Sequence, residues 1–390
     1  MYNAVGMRVK FVIAIIICFS LFLPKLFGCI YNVRDVGFVD TKSGPFSLYC
    51  FVRDDTPQEF ISFFEQISNA ALIDMNVEVE VIKIDQIKNH AALEYIQFME
   101  IKSFPAAVLV STKGRALVLP VSAPDRTFKK TVRSTLESIE ASPIREEILY
   151  HIVKAYCVVL LIEGKEANKN KNIHEITSSA RQKISRIMGQ LPKRIEEPPH
   201  IIVVSQEMLS KERVLLWSLG IDENQPDEPH VAVIYGRGRK IGPLLIGDQI
   251  TEARLYNILS VIGLSCECGL DRDWMMGTLI PLRWGTEVKS DVVKFLGFDA
   301  ESPLVKMEIS LILSLGASFA GEGAVKFNEG SPSLRVSPAE LRKLQAASQK
   351  LTSSKFGSSL KILLFILVPI VILILAAGTL ILIRARKKGS

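Results

Sequence analysis

The sequence predicts an α/β protein of two tandem units followed by a single transmembrane helix, and three observations carry that prediction. Apolar or alternating runs of strand length are interleaved with segments whose apolar residues recur at helical spacing. A proline, an apolar run and a Gly-Arg turn occur at residues 105–115 and again at 229–239, without a gap and offset by 124. Residues 362–383 are 22 uncharged, mostly apolar positions, where about 20 suffice to cross a bilayer core of about 30 Å.

The ends of the chain set its expected compartment. Arg8 and Lys10 precede a 13-residue apolar run at 11–23, the length of a secretory signal core and too short to span comfortably. The following Leu26-Phe27-Gly28-Cys29 resembles a bacterial lipobox, which implies lipidation of Cys29 and removal of a signal at 1–28. Lys25 and the bulky Phe27 depart from that pattern, so an ordinary cleaved signal and an uncleaved anchor stay open. At the other end, Arg384, Arg386, Lys387 and Lys388 follow the span directly and mark that side as cytoplasmic by the positive-inside rule. The expected location is therefore the cytoplasmic (inner) membrane, single-pass, with the bulk of the chain periplasmic and the tail 385–390 cytoplasmic.

Charge agrees with this arrangement. Of the formal +6, three basic residues lie before Cys29 and four after Ile383, so the intervening chain carries close to −1. The basic balance thus belongs to targeting, and nucleic acid is not an expected partner. Four cysteines, Cys50, Cys157, Cys266 and Cys268, remain between the signal and the span, too few for a disulfide-dense scaffold.

In order, residues 46–52 (FSLYCFV) read as a buried strand, with Thr56 as helix cap and Pro57 as first helical residue. Phe60, Phe63, Phe64 and Ile67 then recur at helical spacing to about Asp74, and 77–84 (VEVEVIKI) alternates as a second strand. A helix at about 90–99, a strand after Phe104-Pro105, a turn at Lys113-Gly114-Arg115, another strand to Val121 and a helix at about 125–139 complete a β-α-β-α-β-β-α order.

That order, with Phe104-Pro105 followed by AAVLVSTKGR, resembles the thioredoxin fold and its cis-proline loop. The resemblance implies cis-proline candidates at Pro105 and, by the internal repeat, Pro229. It also implies a Cys-x-x-Cys at the start of the first long helix. Residues 53–60 (RDDTPQEF) stand there and hold no cysteine, so the implied unit is redox-silent.

From Pro143 the order repeats: a helix through Ile152, a strand at 155–162 containing Tyr156-Cys157 as the first strand contains Tyr49-Cys50, and a helix through about Met188. A strand at 201–204, a helix around 212–219, the 229–239 segment, another apolar run and a helix at about 252–262 follow. The expected domains are 29–142 and 143–285, with a connector at 286–360 and the span at 361–384. In the connector, 288–296 and 304–315 have helical or mixed apolar character, 316–332 reads as loop, and a polar helix is expected from Ser337 to about Leu351.

Gly236-x-Gly238 leads into an apolar run rather than a helix, which favours a hairpin turn over a phosphate loop. The five histidines show no metal-ligand spacing, so no metal is expected from them, and no cofactor motif is present. Cys50 and Cys157 lie in apolar runs as small hydrophobes.

The unusual stretch is 264–284, LSCECGLDRDWMMGTLIPLRW, which gathers Cys266, Cys268, Asp271, Arg272, Asp273, Trp274 and Trp284. Three readings stand. It is a structural or partner-binding segment with Asp271, Arg272, Trp274 and Trp284 as contacts, a thiol-disulfide site at Cys266 and Cys268, or a weak metal site with those thiols and an Asp as ligands. The expected function is a non-catalytic accessory or scaffold protein that binds another envelope or membrane protein, such as a transporter, as well as the lipid bilayer. The competing expectation is an envelope thiol oxidoreductase using Cys266 and Cys268.

Overall fold

A computed structural model describes residues 31–323 except 41–43, 88, 192, 222–225 and 265–276, and the backbone alone for 314–323. In the first sheet β1 (Phe46–Val52) lies between β2 (Val77–Lys83) and β3 (Ala106–Val110), with β4 (Ala116–Leu119) at the far edge, giving the order β2-β1-β3-β4. β1 runs parallel to β2, with Phe46 opposite Val77, and antiparallel to β3, with Cys50 opposite Ala107. Period-two alternation sorts the side chains to two faces. Phe46, Leu48, Cys50 and Val52 meet Phe60, Phe64, Val132 and Leu136. Those four come from α2 (Gln58–Ala71) and α4 (Phe128–Glu140). Phe51 turns to the opposite face, against Ile82, Ala92 and Val108 beside the short α3 (Glu94–Phe98).

The second sheet repeats the plan with one more strand: β6 (His200–Val204), β5 (Val158–Ile162), β7 (His230–Tyr235), β8 (Arg239–Ile246) and β9 (Thr278–Leu279), in that spatial order. β5 pairs parallel with β6 and antiparallel with β7. Every residue of β5 and β7 is buried, as their unbroken apolar runs require of strands covered on both faces. Helices α5 (Pro143–Ile152), α6 (Ala167–Ile187), α7 (Arg213–Leu219) and α8 (Glu252–Ile262) accompany them. The β-α-β-α-β-β-α order of the thioredoxin-like resemblance is present in the first unit, and the second unit has the same parallel and antiparallel pairing of its four main strands.

Several expectations need correction. Pro57 is the cap of α2 rather than its first residue, because the Thr56 hydroxyl instead accepts from Arg53 N at 3.0 Å within the preceding turn. Tyr156-Cys157 lies just ahead of β5, where Ala155 bridges to Glu197 and Tyr156 N donates to Glu197 O at 2.8 Å. The Tyr156 hydroxyl, tied to Leu259 O at 2.7 Å, holds this segment against α8. The Phe104–Pro105 bond is cis; Glu228–Pro229 is not among the cis bonds, so Pro229 is withdrawn as a cis-proline. Of the loop expected at 316–332, residues 316–323 are instead helical, in a helix over Pro303–Gly323, and the remainder lies outside the described residues.

The first helix, α1 (Val33–Phe38), precedes the first sheet in sequence but is built into the second unit. Val33 N donates to Leu264 O at 2.8 Å and Arg237 N to Gly37 O at 2.9 Å. The buried Arg34 guanidinium donates to Ala155 O at 3.0 Å and Val153 O at 2.5 Å, closing the C-terminus of α5. The described residues, with both sheets, belong to one compact unit. Cys29, the signal and the span lie outside the described residues. Among the described residues no helix is long and apolar enough to cross a membrane.

Candidate functional site

In the first unit the loop after β1 stands where the resemblance places a redox pair. It is closed on itself: Thr56 N donates to Arg53 O at 3.1 Å, Asp54 N to Asp85 Oδ2 at 2.9 Å, and Gln86 Nε2 to Asp54 Oδ1 at 2.8 Å. The Arg53 guanidinium lies over the Phe104 ring, 5.0 Å from its centroid and directly beside cis-Pro105. A cation on an aromatic face therefore occupies the junction of the two loops. It offers neither a nucleophile nor a leaving thiolate.

The corresponding loop of the second unit, 163–166, is pinned to the segment ahead of β7. Lys165 N donates to Asp227 O at 3.0 Å and its ammonium pairs with the Asp227 carboxylate at 2.5 Å. Lys169 pairs with Glu228 at 2.7 Å. These partners hold the Asp227 carboxyl below its ordinary range, chiefly through the Lys165 hydrogen bond, and raise the Lys169 ammonium, chiefly through Glu228. Gly164 is required here, since a Cβ would lie 2.6 Å from Asp227 O and Pro229 N. Both loops are thus charged, internally paired and free of sulfur.

The free thiols among the described residues are Cys50 and Cys157, both buried. Burial pushes Cys50 up to about 12 and Cys157 higher still. A thiol kept protonated at neutral pH is a poor nucleophile, so their place is packing.

Cys266, Cys268, Asp271, Arg272 and Trp274 lie outside the described residues. The flanks of that segment are fixed by Leu264, whose carbonyl accepts from Val33, and by β9, which pairs Thr278 and Leu279 with Lys240 and Arg239. Trp284 is no partner contact. It is 4 % exposed, packs edge-on to Phe38 at 6.3 Å, and carries the Arg237 guanidinium at 5.5 Å.

One cluster escaped the sequence reading. Glu147 and His151, one turn apart on α5, meet His200 at the start of β6, with all three ligand-capable atoms within 4.8 Å of one another. The His151 and His200 rings stack at 3.4 Å and 11°, and Glu147 Oε1 is 3.9 Å from His200 Nε2. The pairing at i, i+4 was visible in sequence, but the third member is 49 positions further on.

The chain matches no protein family, and no characterised protein resembles it in sequence. Solved structures do align with it. Human ERp44 in a zinc-bound form aligns at 12% identity over 60% of this chain and 60% of that one, with a TM-score of 0.22. The first two thioredoxin domains of Saccharomyces cerevisiae Eps1p align at 10% identity over 61% and 98%, with a TM-score of 0.21. An N-terminal domain of the alkylhydroperoxide reductase AhpF from Enterococcus faecalis aligns at 12% identity over 51% and 86%, with a TM-score of 0.17. Likeness at this level assigns no activity.

Proposed function

We propose that this chain is a membrane-anchored accessory protein whose thioredoxin-like units bind another membrane or envelope protein and do not turn over thiols. The observation that carries the reading is the chemistry of the two loops. Arg53 on Phe104 and Lys165 on Asp227 stand where a redox pair would be needed, while the buried thiols Cys50 and Cys157 are held protonated. Anchorage rests on the 22 apolar residues 362–383 and the basic residues after them. A lipid on Cys29 would add a second, weaker tether. Partner contact is assigned to Asp271, Arg272 and Trp274, which no packing argument demands.

Crosslinked purification from native membranes tests this, comparing the wild-type chain with an Asp271→Ala/Arg272→Ala/Trp274→Ala variant. A discrete adduct that the triple variant loses is the expected result. Disulfide reductase or isomerase activity that disappears in Cys268→Ser would overturn the reading in favour of a thiol oxidoreductase using Cys266 and Cys268.

A further inference from the structure

Two imidazoles and a carboxylate from separate elements converge on one partly exposed face of the second unit, and the scaffold holding them is more rigid than a surface cluster requires. α5 is fixed at its first turn, where the Glu212 carboxylate accepts from Ser142 Oγ at 2.5 Å and Ile144 N at 3.0 Å. It is fixed at its last turn by Arg34, as described above. His200 is held by its backbone, donating to Cys157 O at 2.9 Å and pairing with Val158 in the sheet. Glu147 and His151 therefore sit on a helix capped at both ends and His200 on a strand start paired into the sheet. Rigid elements of this kind hold ligand atoms to tight tolerances.

We propose that Glu147, His151 and His200 form a binding site for a divalent cation of the zinc class. Imidazole nitrogen and carboxylate oxygen are the donors such ions take, at about 2.0–2.2 Å. Tetrahedral ligation at that distance needs donor atoms about 3.3 Å apart, and the three ligand-capable atoms lie within 4.8 Å of one another; the stacked imidazoles must swing apart to aim both nitrogens at one ion. The fourth position is left to water. The Tyr150 ring closes one side, 4.9 Å from His151 and edge-on. The site is independent of the proposed partner contact and of Cys266 and Cys268.

The test is titration of the full chain, purified in detergent micelles, with Zn2+ and with Co2+ as its spectroscopic stand-in. One equivalent should bind, with cobalt d–d absorption and no thiolate-to-cobalt charge-transfer band. Losing even an outer-shell partner costs about 10–100-fold in metal affinity, so His151→Ala and His200→Ala should each weaken binding by at least about tenfold. Cys266→Ser/Cys268→Ser should bind as the wild type does. Glu147→Gln, an isosteric change at an exposed position, serves if a histidine variant fails to fold, and it should also weaken binding. Unchanged affinity in Glu147→Gln and both histidine variants, or loss confined to the cysteine variant, would overturn the site.

Discussion

Arg145 is among the largest fully buried side chains, and its guanidinium is surrounded by oxygen. It donates to Ile139 O and Ser138 O at 2.5 Å each, to Ser142 Oγ at 3.0 Å and to Pro281 O at 3.2 Å. Burial lowers it to about 10, opposed chiefly by the charge of Glu212. Because an uncompensated buried charge costs about 3–5 kcal/mol, Glu212→Ala should destabilise the fold by about that much in urea denaturation. A double change to Arg145→Met with Glu212→Leu should recover part of the loss. Two imidazoles, the half-buried His200 and the buried His230, give a second prediction. Burial, as the first cause, places His200 and His230 below the ordinary 6.5. The unfolded chain therefore takes up protons near pH 6.5 that the folded chain refuses. Stability is fully present above that pH, falls as pH drops through it, and levels off below the folded values. Denaturation in a chelator at several pH values from 8 downward should show this slope, and His200→Gln should flatten it. A slope of the opposite sign would refute the assignment.

At the level of elements, α1 is a clip that the chain order conceals. Its Gly37 and the hairpin Gly236 lie so close that a Cβ on Gly236 would meet the Gly37 carbonyl carbon at 2.2 Å, and Gly236 has φ +55°. Gly236→Ala combines a left-handed strain of about 1–2 kcal/mol with overpacking of about 1–3 kcal/mol. It should destabilise by several kcal/mol and raise proteolysis ahead of β1; a neutral effect would show that α1 is not held there. Glycine at this turn was readable from the Gly-x-Gly spacing, but its neighbour was not, since Gly37 is 199 positions earlier. The same contrast runs through the fold. Strands and amphipathic helices announced themselves through residue periodicity, and α8 falls at the expected 252–262. Errors came where a tertiary contact mattered, as with Tyr156, which lies ahead of β5 with its hydroxyl bonded to Leu259 O. The absence of sulfur at 53–60 was legible directly, whereas the Glu147, His151 and His200 cluster needed β6 to pack beside α5. Trp284 looked like a binding residue because composition cannot distinguish a buried ring from an exposed one.

For the whole molecule, the two sheets share a joint. From α7, Trp217 sends its ring to Phe46 at 5.9 Å and its Nε1 donates to Ala116 O at 3.2 Å, so a side chain of the second unit completes the core of the first. In return the segment after β9 runs back across the first unit: Arg283 bridges Met75, Trp284 N donates to Asp74 O at 2.7 Å, and Arg283 pairs with Glu140. The first sheet does not close its core without side chains of the second unit, so the domains expected at 29–142 and 143–285 should not unfold separately. Probes placed on each sheet should report one coincident denaturation transition in the wild-type chain. Trp217→Ala removes a buried aromatic contact across the joint, a change that costs about 3–5 kcal/mol in a well-packed core. The cost falls on the first unit, whose core loses the ring, while β5 and β7 keep their own cover. The transitions should then separate, the first sheet melting at lower denaturant than the second, and two probes still moving together in Trp217→Ala would show that the joint lies elsewhere.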